Sequence, residues 1–268
     1  MTPAAESAVP WLAQHGTAAL MVVFRLSGLA IFGPVLGSPA VPWKVRAYVV
    51  LALGACCYPA LAGAIVVDAP ASPWGYAALA AGELTTGMVV GLLATLPMVA
   101  MQLGGLLSSQ QLGLGFGRFY LPSMDDEGDA IEQMLFLLAL VSFLAIGGLE
   151  QMVLAVLGSY DAIPPGGFPA AGDAVHALTG LLGGAFELAL RVGAPILAIV
   201  TVESVAMGFV GRTVPSVNVL SIGFPLRILL GLALLATGIG VIHAAMHGFM
   251  DEAILSLRAW MPGGPAGA

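Results

Sequence analysis

The chain has 268 residues, 59% of them hydrophobic and only 9% charged, with a formal charge of −7. A soluble domain carries roughly 25% charged residues, so this composition excludes a water-soluble globule and defines an integral membrane protein. The few Lys and Arg form no patch, which excludes nucleic acid as a partner, and the stretch up to Pro10 lacks the basic residues of a secretory signal.

A bilayer crossing needs about 20 apolar residues, and the chain offers six such segments in order. The first spans Trp11 to about Phe32 and contains Arg25, a charge that needs a partner or a cavity within a membrane. Gly33 to Pro42, with its prolines, ends that helix, and Trp43, Lys44 and Arg46 suit a membrane interface. Ala47 to Val67 is the second segment, with Pro59 as a candidate kink. Its adjacent Cys56 and Cys57 lack metal or redox spacing and read as small packed side chains. Asp68 to Pro73 reads as a loop. The third segment starts near Ala77 and reaches at least Leu107, with Glu83 early in it and a kink expected at Pro97. The acids Asp125 to Glu132 form a hydrated loop before the fourth segment, Gln133 to about Leu157, interrupted by Glu150. The fifth, Ala174 to Gly208, carries His176, Glu187, Arg191 and Glu203 and is expected to break at Pro195. The sixth, Ile228 to Met250, is free of Asp, Glu, Lys and Arg. The abundance of glycine, 36 residues, points to closely approaching helices. The basic residues favour the loops after segments one, three and five, which taken simply puts both termini outside.

The stretch Gln102 to Gly117 combines glycines, Ser108, Ser109 and three glutamines, and no charge occurs between Leu84 and Arg118. Irregular backbone survives in a membrane only where protein or water satisfies it. Two readings stand: a constriction or re-entrant element about residues 103–132, or a glycine-rich turn between helices. Gly113-x-Gly115-x-Gly117 has the wrong spacing for a dinucleotide site, and Gly115-Phe116-Gly117 lacks the Thr-Val of a potassium filter.

His243, His247 and Asp251 share one helical face, a spacing that suits a metal but is more simply read as packing. Glu83, Glu150, Glu187 and Glu203 are candidates for a proton relay or for ion pairs with Arg25, Arg191 or Arg212. Glu187 and Arg191 stand at i, i+4 in the favourable order and read as a structural pair. No catalytic triad, phosphate loop or metalloprotease motif occurs, so neither an enzyme nor a cofactor is expected.

From Glu203 onward the chain carries Gly208, Arg212, Pro215-x-x-Asn218-Val, and Gly223-Phe-Pro225-Leu followed by Arg227. This pattern resembles the hallmark of the FliR family of flagellar type III export-gate proteins, homologous to the SctT subunits of injectisomes. Phe24-Arg25 through Pro34 and Gly37-Ser38, and Gly105 through Gln110, Gln111 and Gly113, agree with it. Departures are Glu203 where an Asp is usual, Ser216 where a Gln is common, and Arg118-Phe119-Tyr120 where small residues are common. The resemblance implies a single all-α membrane domain over residues 1–268, in the bacterial inner membrane at the flagellar basal body. Its partners would be membrane lipid, FliP-like and FliQ-like subunits and an FlhB-like subunit, with unfolded flagellar proteins as substrates. It implies a pore plug formed by Gly105, Gln110, Gln111, Leu112, Gly113, Leu114, Gly115, Phe116, Gly117 and Phe119. It implies an assembly motif of Arg25, Glu203, Gly208, Arg212, Pro215, Asn218, Gly223, Pro225 and Arg227. An injectisome subunit is the near alternative, and a small-molecule or ion transporter using the carboxylates is the alternative of another class.

Overall fold

The computed structural model describes residues 3–62, 65, 72–114, 129–167, 171–214 and 218–259. Among them the chain is all α-helical: α1 (Pro3–Phe32), α2 (Trp43–Leu61), α3 (Pro73–Leu112), α4 (Ala130–Ala145), α5 (Gly148–Ala162), α6 (Ala171–Thr213) and α7 (Val219–Ala259). Among the described residues five helices are long and apolar enough to cross a membrane, or six if α4 and α5 count as one bent span.

Local chemistry sets the ends. Helix α1 stops at Phe32, where Gly33-Pro34 follows and proline disfavours helical backbone before it. Pro73 opens α3 at the first helical position, where its missing N–H costs nothing. Trp43, Lys44 and Arg46 belong to the first turn of α2, with Trp43 strongly exposed.

The break expected at Pro195 does not occur. Helices α2, α3, α6 and α7 run on past Pro59, Pro97, Pro195 and Pro225. A proline removes one backbone bond, and neighbouring groups in a membrane bundle can compensate. The fifth segment is thus one helix of 43 residues, not two pieces. The fourth is broken, but not at Glu150: the 64° bend lies between α4 and α5, where Gly147 has φ 73°. Glu150 sits in the first turn of α5, where an acid complements the helix dipole. Asp68 and Asp125 fall outside the described residues.

Packing divides the chain into two compact units. The first comprises Met1–Thr95, Ile146–Leu181 and Glu252–Ala268, and the second Leu96–Ala145 and Leu182–Asp251. In the first unit Met21, Leu26 and Leu29 of α1, Leu93 of α3 and Val156 of α5 are fully buried. Here α1 and α3 meet backbone to backbone. A Cβ on Gly87 would collide with the Arg25 carbonyl, and one on Gly91 would stand 2.9 Å from the Leu29 carbonyl. Thr95 continues that stripe and donates to the Phe32 carbonyl at 2.5 Å. In the second unit the core is Met98 and Met101 of α3, Leu135 of α4, Ile196 of α6 and Met246 and Met250 of α7.

Candidate functional site

Three polar constellations stand out among the apolar helices. The first surrounds the end of α3. The expected irregular stretch is helical as far as Leu112, so Gly105, Gln110, Gln111 and Leu112 are helix residues. Gly105 lets the first turn of α4 approach α3 closely: a Cβ there would stand 2.6 Å from the Glu132 Cα. Gly113 ends the helix with φ 77°, its N–H bonding to the Gln110 carbonyl and that of Leu114 to the Ser109 carbonyl, each at 3.1 Å. This paired arrangement is a Schellman cap, and the left-handed position selects glycine.

Leu112 is fully buried, and α7 approaches it so closely at Gly231 that a Cβ there would collide with it. Gln110 and Gln111 are exposed. Two links join α3 to the start of α4: Gln102 Nε2 donates to Glu132 Oε1 at 2.7 Å, and the Ser109 hydroxyl donates to Asp129. Sequence reasoning placed Asp129 and Glu132 in a hydrated loop and missed these partners, 20 and 30 residues away. Gly115, Phe116, Gly117 and Phe119 lie outside the described residues.

The second constellation joins α6 to α7. Glu203, 5% exposed, accepts from Arg227 Nε at 3.0 Å, and Arg227 Nη2 donates to the Ser204 hydroxyl at 2.8 Å. Gly223 lies beside the carboxylate, where a Cβ would stand 3.3 Å from Glu203 Oε1. Asn218 caps α7, its Oδ1 accepting the Ser221 N–H at 3.2 Å. The structure therefore brings Glu203, Gly223 and Arg227 together. Gly208, Arg212 and Pro225 are exposed on their helices, and Pro215 lies outside the described residues. The carboxylate's partner is Arg227, not Arg212. Truncating Arg227 to alanine leaves a buried carboxylate unpaired. Because Arg227 itself is 31% exposed, the expected cost is about 1–3 kcal/mol rather than that of a fully buried pair. Truncating exposed Arg212 is expected to cost less. Comparable losses of folded protein, read as monodisperse yield in detergent, would refute this ordering.

The third constellation lies in the first unit. Arg25 and Glu83 are both fully buried, with Nε to Oε2 at 2.6 Å and Nη2 to Oε1 at 3.2 Å. Arg25 also donates to the Ser159 hydroxyl at 2.8 Å and the Ile163 carbonyl at 3.1 Å. Glu83 accepts from the Tyr160 hydroxyl at 3.1 Å and the Gly166 N–H at 2.7 Å. The guanidinium stacks over the Tyr160 ring at 3.6 Å. Two carboxylates proposed for a relay, Glu83 and Glu203, are thus each held by an arginine. Glu187 and Arg191 pair at 2.6 Å on an exposed face, as their spacing indicates. The His243 and His247 rings pack edge to face at 4.3 Å, and His243 faces Ser142. Among the described residues no group of three His, Cys, Asp or Glu is arranged to hold a metal.

Long apolar helices whose buried charges are neutralised by one another define an all-α integral membrane protein. Residues 17–253 match the family described as bacterial export proteins, family 1, and the chain belongs to it. That family is one of protein export, not of enzymes. The chain is 26% identical over 218 residues to flagellar biosynthetic protein FliR of Caulobacter vibrioides, covering 81% of this chain and 86% of that one. It is 26% identical over 245 residues to flagellar biosynthetic protein FliR of Bacillus subtilis, covering 89% and 92%. It is also 23% identical over 195 residues to secretion system apparatus protein SsaT of Salmonella typhimurium, covering 70% and 73%.

Proposed function

We propose that this chain is a subunit of the flagellar type III export gate in the bacterial inner membrane, at the basal body. There it joins FliP-like and FliQ-like subunits, with an FlhB-like neighbour, to form the channel through which unfolded flagellar proteins leave. The observation that carries this reading is similarity to flagellar FliR proteins over nearly the whole length of both chains. Physical features agree with a subunit completed by others. Within the apolar stretch Ser221–Ser256 of α7, an 18-residue window has a mean hydropathy of 2.2, yet only 11% of that window is buried within the chain. Arg25, Glu203, Gly208, Arg212, Pro215, Asn218, Gly223, Pro225 and Arg227 form the assembly motif of this reading.

The plug of this reading is carried on the end of α3. Gly105, Gln110, Gln111 and Leu112 mount it, and Gly113, Leu114, Gly115, Phe116, Gly117 and Phe119 form it. The links from Ser109 to Asp129 and Gln102 to Glu132 hold the base of the mount. The similarity to SsaT favours a second reading, an injectisome export-apparatus subunit with the same architecture.

Expressed alone, the chain is expected to aggregate or be degraded, and co-expression with FliP-like and FliQ-like subunits is expected to rescue it. Affinity purification of the tagged chain then recovers those subunits. A monodisperse, protease-resistant monomer in mild detergent, with no co-purifying subunits, would overturn the proposal. Recovery of injectisome subunits in place of flagellar ones would select the second reading.

A further inference from the structure

The Arg25–Glu83 pair does more than join two helices, and this holds whatever the chain exports. Each charge also holds one backbone group of the turn that follows α5. The Ile163 carbonyl takes a hydrogen bond from Arg25, and the Gly166 N–H gives one to Glu83. The turn itself is closed by Ile163 N–H to the Ser159 carbonyl at 2.8 Å and Gly167 N–H to the Pro164 carbonyl at 2.9 Å. Gly166 takes the left-handed φ of 75°, which aims its N–H at the carboxylate. Gly82, one residue before Glu83, lies so close to this turn that a Cβ would stand 2.9 Å from the Gly166 carbonyl. Backbone groups left unpaired in an apolar interior are costly.

We infer that Arg25 and Glu83 form an intrachain receptor that reads the polarity of the Ile163–Gly167 turn and docks it against α1 and α3. A guanidinium only donates and a carboxylate only accepts. The two charges are therefore not interchangeable, although a plain helix–helix ion pair would work in either orientation. Swapping them restores the attraction between the helices, but turns a donor toward the Gly166 N–H and an acceptor toward the Ile163 carbonyl.

The test uses the full chain in membranes, with Cys56→Ser and Cys57→Ser and a reporter thiol introduced as Ile163→Cys, a position 7% exposed. The reporter's modification rate by a small maleimide measures undocking. The swap Arg25→Glu with Glu83→Arg is expected to raise that rate roughly tenfold or more, as expected for loss of a hydrogen bond to a charged group. Glu83→Gln, which keeps the side-chain volume, is expected to raise it too, and it decides the matter if the swapped chain fails to accumulate. Tyr160→Phe removes a bond to Glu83 but leaves both turn bonds, and is expected to keep the parent rate. A swapped chain as protected as the parent would overturn the inference. So would a Tyr160→Phe chain as reactive as Glu83→Gln.

Discussion

Truncation of Arg25 to alanine is expected to cost about 3–5 kcal/mol, enough to remove most folded chain from the membrane. The effect is large because Glu83 would remain fully buried, with Tyr160 and the Gly166 N–H as its remaining partners among the described residues. The Ser159 hydroxyl and the Ile163 carbonyl would each lose a donor, and the ring of Tyr160 its stacked cation. The control is Arg191→Ala. That arginine makes an equally short ion pair, 2.6 Å, with its side chain 67% exposed and its partner 63%. Exposed i, i+4 pairs contribute about 0.3–0.5 kcal/mol, because water solvates both ends once they part. The amount of membrane-inserted chain and its melting temperature in detergent measure both variants. If Arg25→Ala behaves like Arg191→Ala, the buried cluster is not what holds the first unit together.

Deleting residues 115–119 from an assembled complex is expected to open an ion-conducting path, since an apolar constriction blocks ions by excluding water. The structure dictates where the deletion starts. Leu112 is fully buried against α7, and Gly113 and Leu114 complete the cap of α3, so removing them would damage packing as well as the loop. Starting after Leu114 leaves the cap and both base links intact. Single-channel recordings of the deleted and intact complexes supply the comparison. A deletion complex as tight as the intact one, with all subunits present, would reduce the segment to a connector.

Local rules were sufficient for some features. The pair Glu187–Arg191 follows from i, i+4 spacing, because one turn of helix brings those side chains together whatever the rest of the chain does. The end of α1 at Gly33-Pro34 is local for the same reason. Pro195 misled because a lone proline in water breaks a helix, whereas the long apolar run around it continues through. Glycines misled in the opposite sense. Gly104 and Gly105 suggested a loop, but they are helical positions approached closely by Val192 of α6 and by Glu132 of α4. Gly113, with the same side chain, is the true stop because the backbone there turns left-handed.

By itself the sequence determined the class of protein: nearly uncharged runs of about 20 residues have the length of membrane-spanning helices, which satisfy every backbone group within the segment. It also determined the hallmark residues from Glu203 to Arg227, because a motif needs no third dimension to be read. Only the tertiary structure decided which buried charges meet. Glu83 lies 58 residues from Arg25, and Glu203 lies 24 from Arg227. Over such separations spacing carries no information; the first pair follows from the close approach of α1 and α3 at Gly87 and Gly91, the second from the packing of α6 on α7 beside Gly223. The carboxylates that composition offered as a possible relay are therefore, at Glu83 and Glu203, the anchored halves of ion pairs. A charge inside an apolar bundle persists only where packing supplies its counterpart.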